Sequence, residues 1–127
     1  MEFRQLGLSG LKVSTLTLGT MLFGGTTDET TAARIVDKAH EQGVNSIDTA
    51  DAYSGGDSER VVGRCIAAQR DRWVVATKFA SPLLERDVNA RGASRKHVIQ
   101  AVEASLKRLN TDYIDLLYLH AEDHHTP

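Results

Sequence analysis

The stretch that decides the fold is Ile114-Asp115-Leu116-Leu117-Tyr118-Leu119, a nearly continuous apolar run. It follows a segment whose apolar residues recur at helical spacing, and three earlier apolar runs alternate with helical segments in the same way. Strands with little polar alternation are buried on both faces, as strands of parallel sheets are. Single helices between such strands indicate right-handed crossovers. The sequence therefore predicts an α/β fold with a parallel sheet covered by helices.

A glycine-containing hairpin precedes this alternation, over residues 3–6 and 11–14 around Gly7-Leu8-Ser9-Gly10. We expect four strands, at residues 15–19, 44–48, 73–78 and 114–120. We expect three helices, the first after a cap at Thr27 or Asp28, the second from near Ser58 and the third between Ser94 and Asn110. Pro82 and Pro127 fall in expected loops.

The helical segments carry apolar stripes that predict which faces are buried. In the second helix the stripe consists of Val61, Val62, Cys65 and Ile66. In the third helix it consists of Val98, Ala101, Val102, Ser105, Leu106 and Leu109. Both stripes suit packing against the predicted sheet.

Composition excludes several classes of partner. The 127 residues have room for one core, so we expect a single domain over 1–127. Lys and Arg total 15 against 17 for Asp and Glu, which gives a net charge of −2 without a basic block, and we expect no nucleic-acid partner. No apolar run approaches the roughly 20 residues that span a bilayer, and no signal-like segment opens the chain. We expect a cytoplasmic protein without membrane association, and the lone Cys65 fits a reducing compartment.

Three predicted strands end in an ionisable residue: Asp48, Lys78 and His120. The carboxyl ends of parallel strands share one face of the sheet, so these side chains are expected to converge. Tyr53 follows Asp48 by five residues and can reach the same place. Alone, each residue would more often be a turn, cap or solvated residue. Their order and common placement at strand ends favour a site.

Together these four side chains suit the reduction of a carbonyl group. A phenol is a poor proton donor at neutral pH because its ordinary pKa is about 10, but a nearby ammonium stabilises the phenolate and strengthens the acid. Lys78 would supply that charge and Asp48 would keep Lys78 protonated. A neutral imidazole N–H from His120 would orient the carbonyl oxygen. No side chain supplies the electrons, so the reduction requires a hydride carrier, which implies a nicotinamide.

Several segments resemble the aldo-keto reductase family. They are the hairpin of residues 3–14, Leu18-Gly19-Thr20, Asp48-Thr49-Ala50-Asp51-Ala52-Tyr53 with Ser58-Glu59 and Gly63 after it, Thr77-Lys78, and residues 94–109 and 112–120. The resemblance covers the whole chain and implies the first half of a (β/α)8 TIM barrel. Gly24-Gly25 and residues 91–97 are similar to the branch that contains the potassium-channel β subunits and bacterial relatives.

The resemblance also implies roles for individual residues. Tyr53 would be the proton donor, Lys78 and Asp48 would tune it, and His120 would orient a small carbonyl substrate. Residues that would line the nicotinamide side of an NADPH cofactor are Gly19, Thr20, Met21 and Asp48. Met21 departs from the Trp that many members carry there, so aromatic substrate contacts do not carry over. The choice between NADPH and NADH stays open at this point.

A barrel of this class has eight strands and typically ~250 residues, whereas four strands are predicted here. Three hypotheses follow. The chain is a fragment of a longer reductase, or it is a truncated protein that is inactive or binds a partner, as a channel β subunit does. In the third hypothesis it is a half-barrel that self-associates. The strands at 15–19 and 114–120 would leave open sheet edges, through which a complementing chain or a second copy could bind.

Two other chemistries are less well supported by the sequence. His120, His124 and His125 with Glu122 and Asp123 could be drawn as a metal site, but adjacent histidines in a polar segment are usually solvated, and we expect no metal. A glycoside hydrolase on the same fold needs two facing carboxylates, for which Asp48 with Glu122 or Asp115 is the only pair.

Overall fold

The computed structural model describes residues 1–81 and 87–126; Pro82 and Pro127 lie outside these ranges. Six strands are present: β1 (Phe3–Gln5), β2 (Lys12–Ser14), β3 (Leu18–Gly19), β4 (Ser46–Asp48), β5 (Val74–Phe79) and β6 (Leu116–Leu119). Three α-helices alternate with the last four strands: α1 (Glu29–Glu41), α2 (Asp57–Ile66) and α3 (Arg95–Leu109). Two short 3-10 helices, Tyr53–Gly56 and Ala67–Arg72, flank α2.

The strands form two sheets. β1 and β2 pair antiparallel as the predicted hairpin, while β3, β4, β5 and β6 form a parallel sheet in chain order. In this register Gly19 lies opposite Asp48, Asp48 opposite Ala76, and Lys78 opposite Tyr118. In the described ranges each crossover carries one α-helix, so the predicted α/β partial barrel is confirmed.

Strand β3 is shorter than predicted, because only Leu18 and Gly19 of the expected 15–19 make ladder bonds. Upstream of them, side chains replace the ladder: the Ser14 hydroxyl donates to the Leu16 carbonyl (2.6 Å), and the Thr17 and Ser46 hydroxyls lie 2.8 Å apart. The predicted bounds of the other three strands differ from the observed ones by one or two residues at an end.

The helix caps agree with the sequence. The Asp28 carboxylate accepts a hydrogen bond from the Thr31 amide (2.9 Å) and caps α1, and the Ser94 hydroxyl accepts one from the His97 amide (3.2 Å) and caps α3. Asn110 ends α3 in the left-handed region with φ 51°. Helix α2 starts one residue earlier than expected, at Asp57.

The main core lies between the sheet and helices α1 and α2. Ile47 of β4, Val75 of β5 and Val62 of α2 are completely buried, and Trp73 and Ile66 close the core beside them. The apolar stripe predicted for α2 is therefore the observed buried face, with Cys65 half-buried at its margin.

The stripe predicted for α3 is wrong in part. The buried residues of this helix are His97, Ala101, Ser105 and Leu109, whereas the expected Val98, Val102 and Leu106 are only half-buried. These four recur every fourth residue, so they form one column along the helix. That column faces inward because His97 and Ala101 pack beside Phe79 of β5, while Leu109 lies against Gly63 of α2.

The parallel sheet has β3 and β6 at its edges. Three consecutive residues of β6, Leu117, Tyr118 and Leu119, are 39%, 45% and 44% exposed. Both faces of this edge strand therefore present apolar side chains to solvent. Among residues 1–81 and 87–126, no helix combines the length and apolar character that crossing a bilayer requires.

Candidate active site

The Lys78 ammonium is the centre of the site. It donates to the Asp48 carboxylate (2.6 Å), to the Tyr53 phenol oxygen (2.9 Å) and to the Thr49 carbonyl (2.9 Å). The pairing of adjacent strands creates this contact, because Asp48 ends β4 and Lys78 lies near the end of β5. The structure therefore brings together three of the four predicted catalytic residues. The Thr49 carbonyl is a third hydrogen-bond acceptor of the Lys78 ammonium, and the sequence pattern did not reveal it.

Tyr53 begins the 3-10 helix that follows β4. Its amide donates to the Ala50 carbonyl (3.2 Å), which turns the chain back over the end of the sheet. Ser54 continues this turn in the left-handed region with φ 51°, a conformation that L residues seldom adopt. The turn places the Tyr53 ring beside Lys78, with the ammonium 4.6 Å from the ring centroid.

His120 lies one residue beyond β6, and its amide donates to the Phe79 carbonyl (2.9 Å). Its ring meets the Tyr53 ring edge-on, with 5.8 Å between centroids and 85° between planes. The fourth predicted residue therefore joins the other three at the carboxyl end of the sheet.

The surroundings of Lys78 favour its charged form. Burial alone would lower the pKa of this ammonium, but the hydrogen bonds to Asp48 and Tyr53 and the charges of those groups outweigh burial and raise the pKa above its ordinary value. Lys78 is therefore a fixed positive charge beside the phenol at neutral pH.

A buried hydroxyl network supports the strand ends. The Ser58 hydroxyl, at the start of α2, donates to the Thr20 carbonyl (2.7 Å) and lies 2.9 Å from the hydroxyls of both Thr20 and Thr49. The Thr20 hydroxyl also donates to the Asp48 carbonyl (3.0 Å). Thr20 is fully buried, and its side chain links the ends of β3 and β4.

An open cleft of about 630 Å³ lies over this end of the sheet. Its lining residues are Thr17, Gly19, Asp48, Lys78, Tyr118, Leu119 and His120. Of the residues expected on the nicotinamide side, Gly19 and Asp48 line the cleft, while Met21, which is 60% exposed, does not. Thr17, Tyr118 and Leu119 were not predicted from the sequence as lining residues. Their positions in the predicted strands 15–19 and 114–120 could have indicated them.

A larger cavity, of about 1080 Å³, lies elsewhere, between the 3-10 helix Ala67–Arg72 and the end of α3. Arg70 dominates this region: it pairs with the Asp115 carboxylate (2.8 Å), donates to the Trp73 carbonyl (2.8 Å) and stacks on the Tyr113 ring (3.9 Å). None of the four converging catalytic candidates lines it.

The glycoside hydrolase alternative gains no support from the geometry. Asp115 precedes β6 and binds Arg70, whereas Asp48 is the last residue of β4, so the two carboxylates lie at opposite ends of the sheet. Glu122 pairs with His124 (3.5 Å), and both side chains are more than four-fifths exposed.

Two buried polar groups near the site were not predicted. Glu59 is fully buried and accepts from the Thr77 hydroxyl (2.6 Å) and from Arg108 (2.5 Å). Asp51 is 9% exposed, and its pKa is raised because burial and the charge of Glu59 disfavour the carboxylate, although Arg108 and nearby histidines oppose this. No local sequence signal separates these acids from solvated ones, since their partners come from distant segments.

The comparisons with known proteins agree with this geometry. Residues 15–127 match the model of the aldo/keto reductase family. The chain is 41% identical to the aldo-keto reductase YhdN of Bacillus subtilis, over 97% of this chain and 39% of that protein. It is 40% identical to a probable voltage-gated potassium channel subunit beta of Arabidopsis thaliana, over 100% of this chain and 39% of that protein.

Among solved structures, the chain resembles the aldo-keto reductase AKR11C1 of Bacillus halodurans in its holo form, with a TM-score of 0.88 and 41% identity over 100% of this chain and 42% of that one. A putative aldo-keto reductase from Pseudomona aeruginosa matches with a TM-score of 0.83 and 40% identity. The chain thus spans about two fifths of the length of these relatives. With the predicted resemblance confirmed, this chain belongs to the aldo/keto reductase family.

Proposed function

We propose that these residues form part of the active site of an NADPH-dependent reductase that converts aldehydes or ketones to alcohols. The observation that carries the proposal is the position of the Lys78 ammonium, which bonds at once to the Asp48 carboxylate and to the Tyr53 phenol oxygen. His120 completes the group from the neighbouring strand.

Each of the four side chains has a separate task in the proposed reaction. Tyr53 donates its phenol proton to the oxygen of the substrate carbonyl. Lys78 stabilises the phenolate that remains, and Asp48 holds the ammonium in place. His120 donates an N–H to the same carbonyl oxygen and stabilises the negative charge that develops there.

The cleft is open at the end of β3, where the proposed nicotinamide would lie. Gly19 lines the cleft, and a Cβ built on it would meet nothing within 4 Å, so the cleft wall is open at this strand end. Gly19 and Asp48, which line the cleft, are the residues that would hold a nicotinamide. When bound, the cofactor supplies the hydride that these side chains cannot. NADPH is preferred over NADH here on the family relationship.

We also propose that additional polypeptide completes the site along β6. The unpaired edge of a parallel sheet is a template for a further strand, and Leu117, Tyr118 and Leu119 present apolar surface there. This polypeptide is a complementing segment or a second copy of the chain. The proposed environment is the cytoplasm.

Calorimetric titration of the purified 127-residue chain with NADPH, with light scattering on the same sample, tests these proposals. Binding together with a mass above that of one chain supports a site completed by association. Reduction of a test aldehyde such as 4-nitrobenzaldehyde should then fall by about 10²- to 10⁴-fold in Tyr53→Phe, which lacks only the phenol proton. Tyr113→Phe is the matched control, because this ring stacks on Arg70 at the other end of the sheet.

Absence of binding by a monomeric chain would contradict reductase activity of these 127 residues by themselves. It would favour the alternative of an inactive or partner-binding module. Binding without any effect of Tyr53→Phe on reduction would contradict the role of the phenol.

A further inference from the structure

Two buried polar atoms beside the site lack a hydrogen-bond partner in the part of the chain that the structure describes. They are Oδ1 of Asp51 and Nδ1 of His120. Buried polar atoms in native proteins are nearly always paired with protein or with ordered water, so each exception requires an explanation. Asp51 takes no part in the contacts of Lys78 described above, and His120 is the proposed carbonyl ligand.

Both residues are anchored on consecutive residues of β5. The Asp51 amide donates to the Lys78 carbonyl (3.1 Å), and the His120 amide donates to the Phe79 carbonyl (2.9 Å). The two segments therefore flank the end of one strand, and the charge on His120 influences the Asp51 carboxyl. The other charged groups that influence this carboxyl are His97, Glu59 and Arg108.

Asp51 also lines a small, partly open cavity. This cavity has a volume of about 120 Å³, and its polar lining includes Ser81, His97, Gln100 and Arg108. A single water needs only about 10–15 Å³ of such volume and two to four polar partners. The surroundings of Asp51 are therefore roomy and polar enough to hold ordered water.

The chemistry of the two unpaired atoms limits how they can be satisfied. An ionised carboxylate oxygen is an acceptor only, and an imidazole nitrogen without a proton is also an acceptor. The two cannot bond to each other in those states, but one water can donate a hydrogen to each. With Nδ1 accepting from that water, the neutral imidazole carries its proton on Nε2.

We propose that Asp51 is the positioning residue of His120, holding it through a bridging water in the tautomer that carries hydrogen on Nε2. This inference rests on the proposed function, because only that tautomer lets His120 donate to a carbonyl oxygen in the cleft that it lines. With the proton on Nδ1, Nε2 would be an acceptor and would repel the carbonyl oxygen.

The test is nitrogen NMR of the 15N-histidine-labelled chain at about pH 8, where ordinary histidines are neutral. Long-range proton–nitrogen spectra identify the protonated nitrogen of each ring. We expect His120 as a single Nε2–H tautomer. His124 and His125, which are exposed, are internal references for rings not held by a buried partner. A His120 ring protonated on Nδ1, or a mixture like that of the references, would overturn the inference.

Two variants separate positioning from simple burial. Asp51→Leu has a similar shape but removes both oxygens, and the His120 tautomer should shift towards the mixture of the reference histidines. Asp51→Asn keeps an oxygen and adds an amide donor, so the Nε2–H tautomer should be retained. An unchanged tautomer in a folded Asp51→Leu chain would contradict the inference. If that variant does not fold, Asp51→Asn decides, because loss of the Nε2–H tautomer in that chain would also contradict it.

The readout does not depend on cofactor binding. If NADPH fails to bind while His120 is a pure Nε2–H tautomer that requires Asp51, the proposed function fails and the positioning role stands. If NADPH binds and the tautomer is the wrong one, the positioning role fails alone.

Discussion

Gly63 of α2 lies directly against the backbone of Leu109 in α3. A Cβ on Gly63 would overlap the Leu109 carbonyl group, with the carbonyl carbon only 2.6 Å away. The neighbour is backbone, so it cannot rotate aside as a flexible side chain could. The absence of a side chain at Gly63 thus allows α2 and α3 to approach closely at Leu109.

Gly63→Ala should destabilise the protein by about 1–3 kcal/mol, because overpacking at the helix contact exceeds the roughly 1 kcal/mol that alanine gains over glycine in a helix. The free energy of unfolding in urea measures the change. Gly19→Ala is the control: its Cβ meets nothing within 4 Å, and its stability should stay within about 0.5 kcal/mol. Equal stability of Gly63→Ala and the unmodified protein would show that the helices can separate at no cost.

Glu59→Gln should destabilise the protein by about 3–5 kcal/mol, because it leaves Arg108 charged and largely buried without its partner. A double-mutant cycle with Arg108→Met measures the pair by urea unfolding. When Arg108 is already absent, replacing the Glu59 carboxylate removes no ion pair. The loss of unfolding free energy in the double variant should therefore be smaller than the sum of the two single losses. Thr77→Val, which removes only the other hydrogen bond to Glu59, should cost about 1.5–3 kcal/mol because the acceptor is a buried charged group. Additive single losses would contradict the pairing.

Lys78 should make stability fall at alkaline pH. Its pKa is raised in the folded state, so the folded protein retains this proton at a pH where the unfolded chain has released it. The stabilisation is complete below the unfolded pKa of about 10.4 and is lost as pH rises through the higher folded value. Urea unfolding between pH 8 and 11.5 checks this, and the stability of Lys78→Met should fall less steeply over that window. Parallel curves for the two proteins would contradict it.

Asp123 should make stability fall in acid. Its carboxylate accepts from the Ala93 amide (2.7 Å), the His125 amide (2.9 Å) and the Thr126 hydroxyl (2.6 Å), and these bonds lower its pKa to about 2. The contribution is present above the ordinary pKa near 4 and is lost as pH falls through about 2. Thermal unfolding from pH 6 to 2 should show a melting-temperature gap between Asp123→Ala and the unmodified protein that narrows with acid. A gap that stays constant would contradict the role of the charge.

Much of the fold followed from local signals in the sequence. Side chains within a few residues indicated the caps, at Thr27 or Asp28 and at Ser94, and apolar runs indicated the positions of the four parallel strands. The length of β3 was missed because Ser14 and Thr17 bond across segments some thirty residues apart. The buried face of α3 was predicted wrongly in part for a similar reason, since it depends on contacts with Phe79 of β5 and Gly63 of α2, which are distant in sequence.

The candidate site was predictable to the extent that strand ends converge by topology. Asp48, Lys78 and His120 could be placed together because all parallel strands end on one face. Asp51 and Glu59 could not be found in this way, because nothing in their neighbouring residues distinguishes a buried carboxylate from a solvated one. Burial is decided by distant partners such as Arg108, which no local pattern reveals.

The match between strand order and chain order has a consequence for synthesis on the ribosome. Each strand of the sheet pairs with the one made just before it, so a nascent chain can extend the sheet one strand at a time without waiting for a distant partner. Asp48, Tyr53 and Lys78 can meet as soon as β5 emerges. His120 follows β6, so the group proposed to orient the carbonyl is the last of the four to be delivered.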